Sequence, residues 1–102
     1  MNVLFVCSMA RLRSKTAAHC LQAVARPCDY GGLDSQADKP VTKEMVDWAA
    51  IVVCMETSHK TKLVKRFRGS RIKVQVWGVP DDYDYMDDAL VSLLNTKAET
   101  LL

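Results

Sequence analysis

The chain has four cysteines, Cys7, Cys20, Cys28 and Cys54, but no C-x-x-C pair among them. That excludes a zinc ribbon and a thioredoxin-like redox pair. No stretch approaches the ~18 apolar residues that a membrane span needs. The start, Met1-Asn2-Val3-Leu4-Phe5-Val6-Cys7, has no basic leader and no cleavage site after a long apolar core. A signal peptide is therefore not expected, and a cytoplasmic location with reduced thiols is. Excess charge is missing too: 14 Lys and Arg face 12 Asp and Glu. Such a balance gives no overall reason to expect nucleic acid as a partner. Internal repeats, low-complexity tracts and linkers are absent. The 102 residues leave room for one domain, expected to span 1–102.

What is present is a regular alternation. Residues 2–7 form a short continuous apolar run, which suits a strand covered on both faces. A helix is expected over 14–25, with Ala17, Cys20 or Leu21, and Val24 inward. Residues 28–33 contain Gly31-Gly32, so a strand there should be short or bulged. A polar loop with Pro40 precedes a short helix over 43–49. Residues 50–55 read as the clearest buried strand. A helix over 57–68 should turn Leu63, Val64 and Phe67 inward. Residues 72–77 alternate as an edge strand does. A final helix over 89–101 carries Leu90, Leu93, Leu94 and Leu101. This order implies an α/β fold in three layers, a doubly wound four-stranded parallel sheet with right-handed crossovers. Sheets of this kind bind ligands at the carboxyl ends of their strands.

One such end carries chemistry. Cys7 closes the first strand, and Arg13 and Ser14 open the first helix. Between them lie Ser8, Met9, Ala10, Arg11 and Leu12, which makes C-x5-R-S. A loop of this length can turn several backbone N–H groups toward one point, and a helix N-terminus backs it. That is an oxyanion site. Arg13 can add a two-pronged contact to the same anion. The positive field favours a thiolate at Cys7, a nucleophile aimed at phosphorus. Ser14 can donate to that thiolate.

Other clusters are weaker. Asp81, Asp82, Asp84, Asp87 and Asp88 resemble a hard-cation site, but Asp87 and Asp88 fit a helix start better. No metal and no cofactor is expected. Spacing alone leaves Asp81, Asp82 and Asp84 equal as a general acid. Tyr83 and Tyr85 fit a cleft wall and ordinary packing equally well. Trp48 reads as core or rim. Residues 60–73 hold seven basic groups and no acid. Its single aromatic, Phe67, is expected on the inward face and not available for base stacking, so this stretch reads as a solvated helix face. His19 and His59 lack metal-ligand spacing and read as surface or packing residues.

The run Val3-Leu4-Phe5-Val6-Cys7-Ser8-Met9-Ala10-Arg11-Leu12-Arg13-Ser14-Lys15-Thr16-Ala17 resembles the N-terminal signature of low-molecular-weight protein tyrosine phosphatases. Ala50-Ile51-Val52-Val53-Cys54-Met55-Glu56 is similar to the family's third-strand segment, and Val79-Pro80-Asp81-Asp82-Tyr83 to its aspartate loop. The short length resembles a bacterial subgroup of phosphatase-like chains. The resemblance implies a flavodoxin-like topology and a hydrolase acting on phosphorylated protein or small aryl phosphates. It implies Cys7 as nucleophile, Arg13 as phosphoryl clamp, residues 8–14 as the phosphate loop, Ser14 as thiolate stabiliser and Asp81 as general acid and base. Glu56 would help orient the loop, with Tyr83 beside it.

The chain departs from the family pattern in places. Met9 and Ala10 stand where a glycine and an asparagine are usual, and Lys15 where a proline follows the serine. Tyr30-Gly31-Gly32 replaces serine-alanine-glycine, and Asp82 replaces the proline of the aspartate loop. A phosphate-binding module of low or no turnover is accordingly the alternative. Arsenate reduction ranks last, because no resolving cysteine follows Cys54.

Overall fold

The computed structural model describes residues 2–22, 27–69, 71–80 and 82–99. Its elements are β1 (Val3–Cys7), α1 (Arg13–Gln22), β2 (Cys28–Gly32), α2 (Lys43–Trp48), β3 (Ile51–Cys54), α3 (Thr57–Arg66), β4 (Val74–Val76) and α4 (Asp88–Ala98). All strand pairs are parallel, in the order β2-β1-β3-β4. The doubly wound α/β expectation holds, and β4 is an edge strand as its alternation required. The register runs unbroken from Val3 opposite Cys28 to Cys7 opposite Gly32, and β2 is as long as β1, so the Gly31-Gly32 pair neither shortens nor bulges it, contrary to expectation.

β1 is buried at every residue because it has a strand on each side and a helical layer on each face. Its odd residues, Val3, Phe5 and Cys7, join Ala17, Ala18, Leu90 and Leu94 of α1 and α4. Its even residues, Leu4 and Val6, join Val46 and Leu63 of α2 and α3. Alternate side chains of one central strand thus hold both layers together.

Two helix faces differ from expectation. On α1, Ala17 and Ala18 are buried and Cys20 only partly so, because two small residues let the helix lie close to the sheet. Val24 lies outside the described residues, as does Leu101 at the far end of the chain. On α3 the inward row is His59, Leu63 and Phe67, spaced four apart. Val64 is 48% exposed, because it lies next to that row rather than in it. Among the described residues, no helix is long and apolar enough to cross a membrane.

Candidate active site

β1 is central and β2 lies beside it at one edge of the sheet, and the loop after β1 emerges at their carboxyl ends. Gly32 makes room for it. A Cβ there would stand 2.5 Å from the Ser8 carbonyl oxygen, 2.6 Å from the Ala37 Cβ and 3.0 Å from the Ala10 nitrogen. Only glycine allows the loop so close to the strand.

The loop's carbonyls are drawn outward. Cys7 O accepts from Leu33 N at 3.0 Å, Ser8 O from Asp34 N at 2.9 Å and Met9 O from Asp38 N at 3.0 Å. Outside, Arg11 Nε also donates to Asp38 Oδ1 at 3.0 Å. Among the described residues, no backbone carbonyl accepts from the amides of Met9 to Leu12. With the carbonyls turned out, these amides are available to the inner side of the loop. Ala10 completes the curve with φ of 59°. For a residue with a Cβ this conformation costs about 1–2 kcal/mol. The asparagine and glycine that would relieve it are absent, and Met9 keeps an ordinary negative φ.

The open pocket inside the loop measures about 220 Å³ and is lined by Cys7, Ser8, Met9, Arg11, Leu12 and Arg13. Cys7 Sγ lies 3.0 Å from Ser14 Oγ, with both residues buried. Arg13 opens α1 and is 4% exposed. Its Nη1 donates to Glu56 Oε2 at 2.7 Å and to Val79 O at 2.9 Å. The hydrogen bond from Arg13 holds the Glu56 carboxyl below its ordinary range, partly opposed by desolvation and reinforced by the charges of Arg13 and His59. Glu56 therefore stays ionised and fixes the guanidinium, although its own side chain is 46% exposed.

His59 is the residue that sequence reasoning missed. It is 2% exposed, in the first turn of α3. Its Nδ1 accepts from Glu56 N at 3.1 Å, and its Nε2 lies 3.0 Å from Ser8 Oγ. The four-residue spacing to Leu63 and Phe67 was the available signal that it faces inward.

The segment after β4 passes beside Arg13, whose Nη1 donates to Val79 O. Asp81, the expected general acid, lies outside the described residues. Asp82 and Asp84 are exposed, and Tyr83 is half-buried against the α1–α4 side of the core. Tyr85 leans on α1, its hydroxyl 2.5 Å from His19 Nδ1 and Lys15 Nζ 4.9 Å from its ring centre. Asp87 caps α4 by accepting from Ala89 N at 2.9 Å, and Asp88 follows in the first turn, as a helix start requires. Among the described residues, no group of three His, Cys, Asp or Glu is placed to hold a metal. Trp48 sits on the rim of the fold, 40% exposed. Cys54 is closed to chemistry: burial pushes its thiol up to about 12, with a small opposing effect of Lys60.

No protein-family model matches the chain, and no curated protein matches it. Solved structures do. Wzb of Vibrio vulnificus, in complex with benzylphosphonate, is 19% identical over 98% of this chain and 95% of that one, with a TM-score of 0.80. YwlE arginine phosphatase from Geobacillus stearothermophilus is 23% identical over 98% and 92%, with a TM-score of 0.75. A low-molecular-weight protein tyrosine phosphatase from Bacillus subtilis is 21% identical over 99% and 97%, with a TM-score of 0.77. The fold of this chain is the fold these phosphatases share.

Proposed function

We propose that the chain is a cysteine-dependent phosphatase of the low-molecular-weight type, a single domain over 1–102 that hydrolyses phosphotyrosine or related aryl phosphate monoesters. The observation that carries this reading is one small cavity lined by Cys7 and Arg13, with the Ser14 hydroxyl against the Cys7 thiol and the loop carbonyls pinned outward. The fold shared with known phosphatases supports it.

The chemistry takes two steps. Cys7 Sγ attacks phosphorus as a thiolate, held by the Ser14 hydroxyl. The S–P bond forms, the P–O bond to the phenol breaks, and Asp81 gives its proton to the leaving oxygen. Water then attacks the phosphocysteine, Asp81 takes a proton back, and inorganic phosphate leaves as the thiolate is restored. Residues Ser8 to Ser14 cradle the three phosphoryl oxygens, and Arg13 clamps two of them. Glu56 holds Arg13 in place, and Tyr83 supports the acid segment. No cofactor or metal enters these steps. The substrate is a phosphorylated protein or a small aryl phosphate, met in the cytoplasm.

One observation favours a second reading, a phosphate-binding module with negligible turnover: Ala10 holds a left-handed conformation with no polar side chain to secure it. Hydrolysis of p-nitrophenyl phosphate by wild type and Cys7→Ser, across about pH 4.5 to 8 without added metal, decides between them. Turnover that falls by about 10⁴-fold or more in the variant is expected. A folded wild type that binds vanadate but releases no nitrophenol would overturn the enzyme in favour of the module.

A further inference from the structure

His59 is buried, so its proton is placed by its neighbours. Nδ1 accepts the Glu56 amide at 3.1 Å. An accepting ring nitrogen carries no hydrogen, so in the neutral ring the proton sits on Nε2. Nε2 lies 3.0 Å from Ser8 Oγ and 3.6 Å from Glu56 Oε2, so its hydrogen goes to the nearer serine oxygen. This polarity rules out His59 as a base that activates Ser8, since a base would need a bare Nε2. It also sets the serine. With an oxygen lone pair engaged by His59, the Ser8 hydroxyl hydrogen points elsewhere, and Ser8 lines the cavity.

We propose that His59 is a positioning residue: it braces the phosphate loop from α3 and orients the Ser8 hydroxyl to donate to the bound oxyanion. This rests on the reading of the cavity as a phosphate site. The loop's need for a brace is visible at Ala10, whose methyl group makes no hydrogen bond to secure its φ of 59°. The brace joins residues 51 positions apart in the chain, and it starts beside Glu56, which holds Arg13. One turn of α3 thus supports the loop at both ends of the C-x5-R segment.

Two substitutions separate this role from simple helix packing. His59→Asn keeps an acceptor near the Nδ1 position for the Glu56 amide but cannot reach Ser8. His59→Gln keeps a donor near the Nε2 position but loses the acceptor. The measurement is inorganic phosphate affinity by titration of the full-length chain, with urea unfolding alongside. Loss of about 10-fold in affinity is expected in His59→Asn and in Ser8→Ala, with His59→Gln closer to wild type in affinity and lower in stability. Nitrogen NMR of the imidazole should place the proton on Nε2. A proton on Nδ1, or wild-type phosphate affinity in folded His59→Asn, overturns the proposal. Should His59→Asn fail to fold, unchanged affinity in Ser8→Ala overturns it, because that change leaves α3 intact. If the wild type binds no phosphate, the phosphatase reading fails separately. The brace is then read from the amide signals of Met9 to Leu12, which should move in His59→Asn and stay in His59→Gln; the opposite pattern rejects it.

Discussion

The loop after β1 and the segment after β4 leave the same end of the parallel sheet and are built on opposite plans. The first is tied down along its length. Three consecutive carbonyls are taken by Leu33, Asp34 and Asp38, and the side chains of Cys7, Ser8, Arg11 and Arg13 each have a partner. The second is tied near its ends. Trp77 N and Val79 N extend the ladder to Cys54 O and Met55 O, and Met86 N reaches Thr16 Oγ1 at 3.2 Å. Between these points Asp82 and Asp84 face solvent. On the proposed mechanism, the difference separates two tasks. Holding an anion needs several donors fixed before it arrives. Moving a proton to and from a leaving group needs one carboxyl on an arm that admits the substrate.

The sharpest test of this division is Asp81→Asn. It should lower turnover of p-nitrophenyl phosphate by about 10²–10⁴-fold while leaving vanadate affinity unchanged. Steady-state kinetics and a vanadate titration on the same preparation check it, and a parallel fall in both would erase the division. The reverse pattern is expected on the other side of the cleft. Gly32→Ala drives a methyl group against the Ser8 carbonyl, so it should destabilise the fold by about 1–3 kcal/mol and weaken phosphate binding. Chemical unfolding and phosphate titration report the two effects. The smallest change sharpens the picture from within the loop. Ala10→Gly relieves the left-handed strain and should stabilise the chain by up to about 1 kcal/mol, read as a higher urea midpoint with an unchanged slope.

What the sequence disclosed, and what it did not, follows the distance between partners. Cys7, Arg13 and Ser14 are contiguous on one strand, loop and helix, so their meeting needs only local geometry. The alternation of apolar runs and amphipathic stretches specified the sheet because each face of each strand must be covered. Val64 misled because helical spacing near the edge of an apolar stripe cannot separate adjacent positions, and the row His59, Leu63, Phe67 won. The bond from His59 to Ser8 was invisible because it spans 51 residues and depends on how α3 docks. Arg13 bonding to Val79 O was equally hidden, since any residue at position 79 offers the same carbonyl.

The central place of β1 has one more consequence. Its neighbours β2 and β3 begin at Cys28 and Ile51, so the cradle exists only when distant parts of the chain have already come together. A fragment that has lost β2 and the residues after it loses the donors at Leu33, Asp34 and Asp38 that pull the loop carbonyls outward. Ligand occupancy is therefore coupled to the whole fold by mass action: an anion at 100 times its dissociation constant adds about 2.7 kcal/mol against global unfolding. Melting temperature becomes a gauge of what fits the cavity, and it ranks oxyanions and phosphorylated compounds alike, whether or not any bond is broken.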